Sequence, residues 1–137
     1  LRIVDMSKQR KIAATAVPPG TGTYTPAIRA GDFLFLTAQT GFSHETGKLA
    51  ADLEGQTRTM LENVDKLLSA SGCSREDIVQ VKLILADLVD FKAVDHMYAQ
   101  WLPDRGEAPY PARTAFQAAA LPAGARVMME VVALFPG

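Results

Sequence analysis

Tyr110-Pro111-Ala112-Arg113-Thr114, followed by Leu121-Pro122-Ala123-Gly124 and Val127-Met128-Met129-Glu130-Val131-Val132-Ala133, decides how this chain folds. Pro111 removes a backbone donor and Ala112 adds no bulk, so Arg113 emerges where a strand begins. The Leu-Pro-Ala-Gly segment turns the chain, and the apolar run beyond it predicts a returning strand. Two closing strands are expected over 113–120 and 125–135.

Upstream, the hydrophobic period switches twice. Met60, Leu61, Val64, Leu67 and Leu68 fall on one face of a helix over Leu53 to Ser71, with Gly72 as its stop. Ile78 to Leu85 is a strand in which Val79, Val81, Leu83 and Leu85 alternate with Gln80, Lys82 and Ile84. Asp90 is placed to cap a second helix whose buried stripe is Phe91, Val94, Tyr98, Trp101 and Leu102, ended by Pro103. The helical spacing makes those aromatics core and not a base-stacking platform. Phe33 to Ala38 reads as a strand behind a turn at Ala30-Gly31-Asp32, Thr25 to Ile28 as a short strand, and residues 10–17 as a first strand stopped by Pro18-Pro19-Gly20. Ser43 to Gly47 reads as a loop.

The order is three strands, helix, strand, helix, two strands. That predicts one α+β domain over residues 1–137, a mostly antiparallel six-stranded sheet with its two helices on the same or on opposite faces; the arrangement taken forward has both helices on one face. The other face offers Phe33 or Leu34, Ile84, Phe116 or Ala115, Met128, Val132 and Leu134. An apolar sheet face is not left in water, so a closed homo-oligomer is expected.

Composition narrows the partners. Fourteen basic against 15 acidic side chains give a net charge of −1, which supplies no field for phosphate binding and argues against nucleic acid. Ser7-Lys8-Gln9-Arg10-Lys11 is the best basic patch and reads as a solvated arm. One cysteine, Cys73, excludes an intramolecular disulfide and reads as a partly buried thiol without a role. His44 and His96 alone do not make a metal site, though carboxylates could complete one, and no metal is expected. No apolar run is long enough to span a bilayer and no signal peptide is visible, so the cytoplasm is the expected compartment. The chain begins at Leu1, which points either to preceding residues or to a native start at Met6.

Taken by itself, Arg113 either grips a carboxylate through two parallel bonds or pairs with a neighbouring acid. Met128 and Glu130 share one strand face about 6.6 Å apart. Glu130 reads either as a reactive carboxylate or as one held by an ion pair or a backbone donor. Asp95 reads as a solvated helix residue.

The Pro-Ala-Arg motif, Leu121-Pro122 and Leu85-Ala86-Asp87-Leu88-Val89-Asp90-Phe91 together resemble the RidA (YjgF) family of imine and enamine deaminases, over Tyr24 to Ala133. The resemblance implies a chorismate mutase-like fold, a homotrimer and no cofactor. It makes Arg113 the group that binds the carboxylate of an imino acid at a subunit interface. It puts Tyr24, Thr37, Ala115 and Met128 in the substrate pocket, with Glu130 beside Arg113 as a catalytic candidate. Gln39 falls in Thr-Ala-Gln-Thr, where Ala38 replaces the family's usual glycine. Asp95 stands where the family commonly has asparagine, and Met128 where its deaminases carry the glutamate that handles water.

The function implied is hydrolysis of small imino or enamino acids to keto acids and ammonia. The alternatives are a carboxylate-binding protein or sensor on the same scaffold, and a deaminase of a larger enamine such as an aminomuconate-type acid. Members of the family are also labelled endoribonucleases or translation inhibitors, a reading that the near-neutral charge and scarcity of histidine oppose.

Overall fold

The structure is a computed structural model that describes residues 22–104 and 109–137, together with the backbone of Gln9–Lys11. Its strands are β1 (Gln9–Lys11), β2 (Ala27–Ala30), β3 (Phe33–Thr40), β4 (Phe42–Ser43), β5 (Lys48–Leu49), β6 (Ile78–Leu85), β7 (Ala112–Gln117) and β8 (Val127–Leu134). The helices are α1 (Leu53–Ala70) and α2 (Phe91–Trp101). One sheet runs β1-β2-β3-β8-β6-β7, and β4 and β5 form a separate hairpin. Since β1 is only three residues long, the body of the main sheet is five strands. All pairings are antiparallel except β6 with β7, which are parallel and joined through α2.

Alternation decides which side of each strand is dry. Leu34, Leu36, Val81, Leu83, Met129 and Val131 form one cluster with Met60, Val64 and Leu67 of α1 and Val94, Tyr98 and Trp101 of α2. Both helices therefore cover the same face, one of the two arrangements that the order of elements allows. On the opposite face Phe33, Phe35, Phe116 and Leu134 are each between 41% and 46% exposed. Of the two pairs of alternatives, Phe33 and Phe116 face outward, while Leu34 is buried and Ala115 packs against the core. Ile84 and Met128 share the outward side but are not bare. The Leu121–Ala125 segment folds over them, with Ile84, Leu121 and Ala125 as a small second core.

The departures from the expected elements have local causes. Pro26 has no N–H to donate, so β2 starts at Ala27 instead of Thr25. Of the expected first strand, Arg10 and Lys11 lie in β1 and residues 12–17 fall outside the described residues. The expected loop at 43–47 is the tip of the β4–β5 hairpin, whose two-residue strands are too short to show a period. Val79 is exposed at a register shift between Ile78 and Gln80. The closing strands are shorter than expected, 112–117 and 127–134.

Asp90 does precede α2, but its side chain does not cap the helix. It accepts two hydrogen bonds from Arg126 Nη2 at 3.0 and 3.1 Å, while Asp87 caps the preceding turn by accepting from Val89 N–H. At the far end of α2, Arg75 forks onto Asp65 of α1 at 2.8 and 2.7 Å and donates to the Trp101 carbonyl. Trp101 Nε1 donates to the same Asp65 carboxylate.

The buried side of α1 also carries two amides. Asn63 Nδ2 donates to the Thr40 and Phe42 carbonyls, and Gln56 bridges the Ala50 carbonyl and the Arg126 N–H. Asn63 is almost fully buried, so Asn63→Ala strands two carbonyls and is expected to cost about 1–2 kcal/mol in urea unfolding. An unchanged unfolding midpoint would contradict this assignment.

Candidate functional site

Arg113 sits on β7, at the edge of the sheet, opposite Val81 in the parallel ladder. Paired residues share a face, and Val81 is in the core, so Arg113 projects to the helix side. There α2 meets it. Residues 91, 95, 98, 99 and 102 fall on one stripe of the chain at helical spacing. Arg113 Nη1 donates to Asp95 Oδ1 at 2.5 Å, and the guanidinium lies over the rings of Phe91 and Tyr98, 5.2 and 5.3 Å from their centres. Both side chains stay partly open to solvent, Arg113 at 29% and Asp95 at 39%.

The pair forms one wall of a cleft of about 320 Å³ whose other walls are Tyr98, Leu102, Tyr110 and Pro111. Among the described residues, the guanidinium's hydrogen bonding is confined to Nη1, leaving Nε and Nη2 uncommitted. That free edge can take a carboxylate through two parallel bonds. Asp95 is thus no merely solvated helix residue. Its place on the stripe is legible in the sequence, but its contact with a residue 18 positions away is not.

The other expected site residues lie elsewhere. Ala115 is on the Arg113 side of β7, half-buried against the core. Met128 and Glu130 are on β8, two strands away and on the opposite face of the sheet. Glu130 faces Lys82 across the ladder at 3.7 Å, the ion-pair alternative, although the carboxylate is not buried. Tyr24 is half-exposed before Pro26, and Thr37 N–H donates to the Pro26 carbonyl at 2.8 Å. Thr37 and Ala38 lie in the register shift of β3, and Gln39 donates to the Thr37 carbonyl. β3 is three strands from β7, roughly 14 Å at normal strand spacing. One chain therefore places Arg113 and Ala115 on one side of β7, and Thr37 beside the Pro26 segment that follows Tyr24, but does not join the two groups.

The remaining reactive side chains are scattered. His44 stacks edge-on to Phe42, and burial, then Lys66, lowers its pKa. Cys73 is buried, which pushes its thiol pKa up, with Asp77 adding to the effect and Arg29 opposing it. No group of three or more His, Cys, Asp or Glu side chains among the described residues is arranged to hold a metal ion. No helix among them is long and apolar enough to cross a membrane.

A mostly antiparallel mixed sheet with both helices on one face is a RidA-like fold. The family model described as Endoribonuclease L-PSP matches residues 14–135, and the chain belongs to that family. It is 38% identical over 127 residues to Reactive Intermediate Deaminase A, chloroplastic, of Arabidopsis thaliana, covering 92% of this chain and 66% of the plant protein's length. It is 32% identical over 127 residues to the human 2-iminobutanoate/2-iminopropanoate deaminase, covering 91% of this chain and 90% of that one. The crystal structure of Escherichia coli TdcF with bound serine superposes with a TM-score of 0.84 at 31% identity, covering 93% of this chain and 99% of that one.

Proposed function

We propose that this protein hydrolyses small reactive imino or enamino acids to keto acids and ammonia, with Arg113 holding the substrate carboxylate. The observation that carries this reading is the guanidinium itself: Asp95 fixes one nitrogen, and among the described residues no side chain or carbonyl holds the remaining edge, which lies beside a partly apolar cleft. The relatives named as deaminases support the reaction class. Because such imines already hydrolyse in water, orientation and modest electrostatic help suffice to accelerate them. The test is ammonia and keto-acid release from freshly generated iminopropionate and iminobutyrate. Acceleration above the spontaneous rate supports the reading, and its absence refutes it.

The working unit in this reading is a cytoplasmic homotrimer. Phe33 and Phe35 have ring centres 6.5 Å apart on the uncovered face, with Phe116 and Leu134 on the same side. A closed ring would bury these groups and let residues of β3 from one subunit approach β7 of another. Met128, Glu130, Tyr24 and Thr37 would then reach the substrate across the interface. Phe35→Asp is expected to convert the trimer to monomer in analytical ultracentrifugation. A wild-type protein that sediments as a monomer would remove the interface from this reading.

Met128 favours one alternative, a carboxylate-binding protein without turnover, since a thioether neither accepts a proton nor charges a water. Carboxylate binding that depends on Arg113, without any acceleration, would establish that reading instead.

A further inference from the structure

We propose that Asp95 is a specificity-determining counter-ion. It holds the Arg113 guanidinium in position and, by its charge, weakens the arginine's grip on anions, so that the site favours a zwitterionic imino acid over the anionic keto acid. The inference rests on the reading above that Arg113 holds a carboxylate, and on nothing about which group activates water.

Three observations carry it. Asp95 Oδ1 accepts from Arg113 Nη1 at 2.5 Å, and the guanidinium lies over the rings of Phe91 and Tyr98, one helical turn to either side of Asp95. The seat of the arginine is therefore a single stripe of α2. Both members of the pair are more than half covered, so water screens their charges less than it would on an open surface. Among the described residues that line the cleft, Arg113 is the one cation and Asp95 the one carboxylate. Tyr98 and Tyr110 are phenols, neutral near pH 7. The cleft thus carries no net charge, where the arginine alone would make it positive. Groups of β8 that would reach the substrate across a subunit interface leave the pair as it is, since both members belong to one chain.

A carboxylate seated on the Nε/Nη2 edge directs its α-carbon away from Nη1. Asp95 then lies on the far side of the guanidinium and touches no reacting atom, so it acts on the ligand through charge. Sharing one guanidinium brings the two carboxylates within the range of about 4–6 Å over which like charges oppose each other. A keto acid brings one negative charge and feels only this repulsion. An imino acid protonated on nitrogen brings a positive charge as well, and its attraction to Asp95 offsets part of the repulsion. Asp95 therefore costs the product more affinity than the substrate. Hydrolysis exchanges the cationic nitrogen for a neutral oxygen, and the ligand becomes one that the site opposes.

The experiment measures, by isothermal titration calorimetry at fixed pH and low salt, the binding of two stable ligands that differ in this charge: 2-oxobutyrate, an anion, and 2-aminobutyrate, a zwitterion. Wild type is compared with Asp95→Asn, Asp95→Glu and Arg113→Ala. Asparagine keeps an oxygen that accepts from Nη1 and removes the charge. Expected in Asp95→Asn is a Kd for 2-oxobutyrate lower by about tenfold, and for 2-aminobutyrate by about threefold or less. Asp95→Glu keeps the charge and is expected to tighten neither. Should asparagine lower the melting temperature, Asp95→Ser repeats the test with a neutral hydroxyl acceptor. A residue that merely oriented Arg113 would give no tightening in either neutral variant, which would overturn the proposal. Equal tightening of both ligands would overturn it too, since the charge would then select nothing. Binding of 2-oxobutyrate that is lost in Arg113→Ala yet unchanged in Asp95→Asn refutes this role alone. If Arg113→Ala binds as wild type does, or wild type binds neither ligand, the carboxylate reading falls and this role with it.

Discussion

Arg113→Ala is expected to lower kcat/KM for an imino acid by about two to four orders of magnitude. Hydrogen bonds to a charged partner contribute about 1.5–3 kcal/mol each. The free edge of Arg113 offers two, and about 1.4 kcal/mol is a factor of ten in rate. The substitution also leaves Asp95 without its partner, so the cleft loses its positive charge and gains an uncompensated negative one. Arg113→Lys keeps the charge but not the flat two-pronged geometry, and is expected to fall between wild type and alanine. The measurement is the initial rate of keto-acid formation across substrate concentration. The assignment fails if alanine at 113 leaves kcat/KM within threefold of wild type.

Gly41→Ala is expected to be the most damaging small substitution in the fold. A side-chain carbon at 41 would lie 2.6 Å from the Gln56 carbonyl oxygen and 2.7 Å from Gln56 Cβ, closer than such atoms ever sit. The obstacle is helix backbone, which cannot rotate aside, so either α1 or the β3–β4 connection must move. Overpacking of this kind costs about 3 kcal/mol, which in a domain of this size is a fall of about 10 °C in Tm. Thermal unfolding followed by circular dichroism gives the answer, and a fall under 2 °C would show that the approach relaxes cheaply. The effect should reach the site as well. Gln56 accepts from the Arg126 N–H, and the Arg126 side chain holds Asp90 at the start of α2.

What was legible in the sequence followed its periodicity. Ile78–Leu85 was readable to the residue because a β-branched and leucine-rich segment starts right after Glu76-Asp77 and stops short of Ala86-Asp87. The first helix was one residue too long at its end, where Gly72 adopts a positive φ of 84°. Arg113 was legible as a strand-mouth arginine, and the loss of acid at Met128 through the resemblance. The Arg113–Asp95 pair was not. It arises because a parallel β6–β7 pair forces the chain to cross the sheet through α2, and no local pattern records which helix residue then lands on the strand edge. The capping role assigned to Asp90 fails for a similar reason. Arg126, 36 residues away, competes for the carboxylate and wins. The choice between Phe33 and Leu34, one residue apart in a strand that opens Phe-Leu-Phe-Leu, needed the register with β8 to settle it.

The anchoring of α2 at both ends has a consequence for how damage would show itself. Asp90 is tied to Arg126 at one end, and Trp101 to Arg75 and Asp65 at the other, with Asp95 between them. The helix behaves as a beam clamped at two supports, and the carboxylate rides on its span. Loosening either support is expected to shift Asp95, and with it the Arg113 guanidinium that it holds, so wear at these distant contacts would register at the arginine before the domain melts.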